Sequence, residues 1–185
     1  MINGIRPSIM VSSGLHDEAY RRYGLSAAQG NSYLARFRAV AKRYPMKAPA
    51  DILADLIETT PGEEGKWFAT AKDLKLYEFA LQLADQSVCE PKTLVRAARD
   101  FLESEPVFAL GAALAALRWL NEGWGYEVTV TDVIDAYDLA LEAATRSQID
   151  NASDQIRVLL EQTRSAGNAF VRRSLSSRLF IPVDS

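Results

Sequence analysis

The chain has 185 residues, of which 48% are hydrophobic and 24% charged, and its formal charge is −3. That balance excludes an intrinsically disordered chain, which carries fewer apolar residues and more net charge, and suits one globular domain burying roughly 70% of its unfolded surface. A lone cysteine, Cys89, excludes an intramolecular disulfide framework, and a lone histidine, His16, excludes most histidine-based catalytic and metal sites.

Residues 1–13 place Arg6 and Pro7 where the apolar core of a signal peptide would lie, so they read as an extended or poorly ordered lead. From there the punctuation predicts helices over 14–23, 26–44, 48–59, 61–73, 76–87, 91–103, 106–122 and 130–147, with one or two more between 151 and 179. Ser26 with Gln29, Thr60 with Glu63, Thr129 with Asp132, and Asn151 with Asp154 have the spacing of capping boxes. Pro61, Pro91 and Pro106 sit where a first helical residue tolerates a missing N–H. Gly24, Pro45 and Gly123 supply stops. Apolar residues recur at helical spacing, as in Tyr33, Phe37, Val40 and Tyr44, or in Val133, Tyr137, Leu141 and Ala144. The segment 106–120 is apolar almost all round, which predicts a central, enclosed helix whose alanines and Gly111 let neighbours approach closely. At 15 residues it is too short to span a bilayer, so no membrane is expected and a cytoplasmic location follows. Only Ile5–Val11 and Glu127–Thr129 could compete as strands. The expected fold is all-α: a single domain, 1–185, of about eight to ten helices in stacked antiparallel hairpins, either α-solenoid-like or an orthogonal bundle.

Ala71-Lys72-Asp73-Leu74, followed by Phe79-Ala80-Leu81, is echoed by Ala98-Arg99-Asp100-Phe101, followed by Phe108-Ala109-Leu110. The offset of 27 to 29 residues is that of one helical hairpin. Over about residues 62–113 the chain resembles tetratricopeptide and clathrin-type helical-hairpin repeats, with Lys75 where those repeats commonly place a small turn residue. The run from His16 to about Ala144, and especially Gly62–Ala69 and Arg96–Phe101, also resembles a group of uncharacterised bacterial all-helical proteins. That resemblance implies a stand-alone folding unit and carries no activity.

Charge is unevenly distributed. Residues 1–47 hold eight Lys/Arg against two Asp/Glu, a charge of +6, whereas 48–150 hold eight against nineteen, a charge of −11. The sequence thus divides into a basic helical hairpin (14–47), an acidic helical body (48–147) and C-terminal helices (151–179). On helix 26–44 an inward stripe of Tyr33, Phe37, Val40 and Tyr44 leaves Arg36, Arg38, Lys42 and Arg43 exposed. Arg21, Arg22 and Lys47 add to the same end, giving the electrostatic footprint of phosphate binding. Residues 19–38 also resemble a DNA-binding helix-turn-helix, with Tyr23-Gly24-Leu25-Ser26 as the turn. Tyr20 and Gly30 depart from it, standing where a small residue and a packing aliphatic are usual.

Other constellations are weaker. Asp135, Asp138 and Glu142 fall within about 60° on one helix face, as a solvated acidic face or a carboxylate metal site would, but no Glu-x-x-His accompanies them. Gly62-Glu63-Glu64-Gly65-Lys66 lacks the first glycine and the Ser/Thr of a phosphate loop. Cys89 precedes a helix start beside Glu90 and reads as an ordinary half-buried thiol. Trp124 and Tyr126, in the loop between two long helices, either fold back to cap the core or serve as partner anchors. The expected function is a non-catalytic protein–protein interaction or scaffold module, without metal or cofactor, whose partner is another protein or a second copy. The first alternative is nucleic-acid binding by the basic N-terminal helices, and the second is a metal-dependent enzyme using the 130–147 carboxylates.

Overall fold

In the computed structural model, residue 14 and residues 17–25, 31–162 and 165–179 are described, the side chains of Arg22 and Tyr23 excepted. His16, the Ser26–Gln29 box, Gly30 and the Ile5–Val11 strand candidate lie outside these residues. Every regular element among them is helical. The α-helices are α1 (Tyr33–Arg43), α2 (Pro49–Glu58), α3 (Phe68–Asp73), α4 (Tyr77–Gln86), α5 (Pro91–Phe101), α6 (Pro106–Glu122), α7 (Val130–Ser147), α8 (Ala152–Gln162) and α9 (Ala166–Leu179). A π-helical turn lies at Tyr20–Gly24, directly after helical residues 17–19, and a 3-10 turn at Glu64–Trp67. No helix among the described residues is long and apolar enough to cross a membrane.

Several boundaries fall where the sequence signals put them. α5 and α6 open on Pro91 and Pro106. α7 opens on a complete capping box, in which Asp132 N–H donates to Thr129 Oγ1 at 3.3 Å and Thr129 N–H donates to the Asp132 carboxylate at 2.7 Å. α6 stops at Gly123, whose φ of 92° is left-handed.

Two starts differ. Ser32 is extended (φ −151°, ψ 160°) and its hydroxyl accepts from Ala35 N–H, so α1 begins at Tyr33 and no continuous helix runs from Ser26 to Tyr44. Thr60 does not cap a following helix. Its hydroxyl points back to the last carbonyls of α2, donating to Leu56 O and Ile57 O, and Pro61 lies in a turn. The 3-10 turn and the short α3 replace the expected helix over 61–73.

The helices gather into two compact units, residues 1–61 and 62–185. In the first, α1 packs on α2, burying Phe37 and Val40 of one and Ile52, Leu53 and Leu56 of the other. Tyr20 of the π turn is buried too; its hydroxyl donates to Asp55 on α2 at 2.7 Å, and its ring stands edge-on to Tyr44 at 4.9 Å.

The second unit is built around α6. Ala109, Ala112, Ala113 and Ala116 are fully enclosed, and α6 packs against α4, α5, α7, α8 and α9. α6 is therefore the central, most enclosed helix of this unit, as its all-round apolar sequence requires. A Cβ added at Gly111 would come within 2.5 Å of Leu81 Cδ1, so the missing methyl lets α4 press directly onto α6. The Trp119 indole N–H and the Arg118 guanidinium both donate to Ala84 O at 2.9 Å, satisfying a carbonyl left over at the end of α4. Where α3, α4, α5 and α6 meet, Phe68, Tyr77, Phe101 and Phe108 form one aromatic cluster with centroids 4.9–6.0 Å apart. The last two helices are fastened by buried amides: Asn168 donates to Asn121 Oδ1 at 2.7 Å and to Leu160 O at 2.8 Å, and Asn121 donates to Leu159 O at 3.2 Å.

Candidate interaction surfaces

The basic helix turns its stripe inward as the spacing requires, and Arg38, Lys42 and Arg43 are exposed along α1. Arg36 is half-buried, with its guanidinium 5.8 Å from the Tyr33 centroid, and Arg43 lies 5.9 Å from the Tyr44 centroid. Arg21 is exposed on the π turn, and the Arg22 side chain lies outside the described residues. Lys47 turns inward instead of joining the patch: Nζ stands 4.1 Å over the Tyr20 ring and 3.9 Å from Asp55. Burial and the Asp55 hydrogen bond push the Tyr20 phenol well above its usual range. Tyr20, the large residue at a helix-turn-helix position normally small, is therefore the keystone of this unit's core. With Ser32 extended, the segment 26–38 is not one recognition helix.

The acidic face of α7 is neutralised from three sides. Asp135 accepts from Arg99 of α5 at 2.8 Å, and Asp138 accepts from Arg178 of α9 with both carboxylate oxygens, at 2.8 and 2.9 Å. Glu142 pairs with Arg146 at 2.7 Å, and Arg146 also pairs with Glu103. The three carboxylates lie on one face, as their spacing requires, but each holds an arginine. No cluster of three or more His, Cys, Asp or Glu among the described residues could hold a metal ion.

The loop after α6 behaves differently. From Glu122, the last residue of α6, the chain runs Gly123-Trp124-Gly125-Tyr126-Glu127, and neither aromatic folds back onto the core: Trp124 is 49% and Tyr126 73% exposed. Trp119, five residues earlier, caps the core in their place. The rings are held outward by an unusual backbone, with φ of 92° at Gly123, 124° at Gly125 and 46° at Glu127. Positive φ at a non-glycine residue such as Glu127 persists only where its surroundings hold it. Here the ties are visible. Trp124 N–H donates to Trp119 O at 2.9 Å, Tyr126 N–H reaches the Glu90 carboxylate at 3.4 Å, and Lys92 donates to Glu127 O at 3.0 Å. The α7 capping box closes the far side, and exposed Val130 extends the apolar surface. Glu90, Lys92, Glu122, Glu127 and Val130 complete this surface, and no motif marks them. Glu90 and Lys92 flank Pro91, which by itself signals only a helix start.

The remaining sequence candidates are structural. Cys89 is buried rather than half-buried, and burial together with Glu90 pushes its thiol up to about 12, away from reactivity. Gly62–Lys66 is the turn leading into α3, where the Glu64 carboxylate accepts from Gly62 N–H at 2.9 Å and is thereby held below its usual range. An open depression of about 370 Å³ lies between Arg118 and α8, but Arg118 is already engaged by Asp85 at 2.8 Å and by the Trp119 ring. No family model, curated protein or solved structure matches the chain.

Proposed function

We propose that the protein is a non-catalytic interaction module that docks a protein partner on the 122–130 surface. The observation that carries this reading is a pair of large aromatics, Trp124 and Tyr126, presented to solvent by a loop pinned at both ends. Exposed aromatics of this kind supply much of the binding energy of protein interfaces, and a loop already held in one conformation loses little entropy on binding. The experiment is to compare what co-purifies from the native cell with the wild type and with Trp124→Ala/Tyr126→Ala, the two proteins having matched melting curves. Loss of a specific partner from the variant is expected; an unchanged set of partners would overturn the reading.

A second reading, nucleic-acid binding by the first unit, is favoured by the exposed Arg21, Arg38, Lys42 and Arg43. Phosphate contacts by three or four of these would give a slope of roughly −3 in log affinity against log salt. An anisotropy titration that detects no binding to duplex DNA or RNA at low salt ends this alternative.

A further inference from the structure

Resting on that reading of the loop as a docking surface, we infer that its occupant is a cationic segment of the partner. An arginine- or lysine-bearing stretch would lie against Trp124 and Tyr126 and be paired by Glu122 and Glu127. Five aromatic rings among the described residues carry a cation of the chain's own on their face. Lys47 covers Tyr20, Arg36 covers Tyr33, Arg43 covers Tyr44, Lys72 covers Phe101 and Arg118 covers Trp119, at 4.1–5.9 Å from the ring centroids. Among the described residues no cation covers Trp124 or Tyr126, the two most exposed rings. The electron-rich faces of indole and phenol attract ammonium and guanidinium groups.

The carboxylates point the same way. Glu90 is taken by Tyr126 N–H and Asp132 by the α7 cap, whereas Glu122 and Glu127 are exposed and make no ion pair among the described residues. Lys92, beside the loop, is engaged by Glu127 O and stands 3.9 Å from Asp132. Open rings and open carboxylates within six consecutive residues make a surface complementary to positive charge. On α7 the equivalent carboxylates already hold arginines, whereas Glu122 and Glu127 adjoin the two exposed rings along the chain.

Trp67 and Trp119 are buried, so acrylamide quenching of the native protein reads Trp124. Hexa-arginine is the probe, at physiological salt. Saturation is expected to lower quenching at least twofold, with hexa-glutamate inert. Glu122→Gln/Glu127→Gln should weaken the affinity at least tenfold, and Asp135→Asn/Asp138→Asn should leave it unchanged. Absence of protection, or equal affinity for the Glu122→Gln/Glu127→Gln protein, overturns the proposal. A neutral alanine–leucine hexapeptide protecting Trp124 where hexa-arginine does not would overturn the cationic partner and keep the docking surface. Light scattering that finds a dimer in the wild type and a monomer in Trp124→Ala/Tyr126→Ala would assign the loop to a second copy, which also overturns it.

Discussion

The acidic face of α7 and the loop that leads into it carry similar residues in opposite conditions. On α7 each of three carboxylates holds an arginine, two of them supplied by other helices. At the loop two carboxylates and two rings are exposed with no ion pair or covering cation among the described residues, although the backbone beneath them is tied at several points. Charge density alone does not separate the two regions. What separates them is whether the fold itself brings the complementary group. A saturated face stabilises the molecule, and a rigid unsaturated one is available to something else.

Five variants break or sharpen this contrast. The largest effect belongs to Trp119→Ala, which removes a buried ring and the hydrogen bond to Ala84 O and should cost about 3–5 kcal/mol in chemical denaturation. Asn168→Ala comes next, at about 1–3 kcal/mol, because it strips donors from Asn121 Oδ1 and Leu160 O in a buried place. Asp135→Asn and Asp138→Asn should each cost only about 0.2–1 kcal/mol, and less in high salt, since their ion pairs are partly exposed. Trp124→Ala/Tyr126→Ala should fall within about 0.5 kcal/mol of the wild type. A loss above 2 kcal/mol in that last variant would mean that the loop aromatics serve the core after all.

The bundle was readable wherever a boundary depends on local chemistry. Pro91, Pro106, Gly123 and the Thr129–Asp132 pair act within one turn of chain, and the helices they delimit are where the spacing puts them. Ser26 and Ser32 both precede apolar residues, and sequence spacing does not choose between them. Thr60 faces a similar choice between two helices, and its hydroxyl bonds the one behind it. The candidate surface was half legible. Trp124 and Tyr126 stand out by type and position, but their exposure depends on φ at Gly125 and Glu127 and on Glu90, 36 residues away. The arginines that quench α7 likewise arrive from 36 and 40 residues away.

Leu81 standing in the notch at Gly111 makes the pairing of α4 with α6 selective as well as close. Alanine- and leucine-rich helices can slip past one another by a turn, about 5.4 Å, with little change in the apolar area they share. One turn along α6 in either direction are Val107 and Ala115, and both carry the β-carbon that Gly111 lacks. A slipped pairing sets Leu81 against one of those carbons and obliges its side chain to turn aside, so the absent carbon favours the native register.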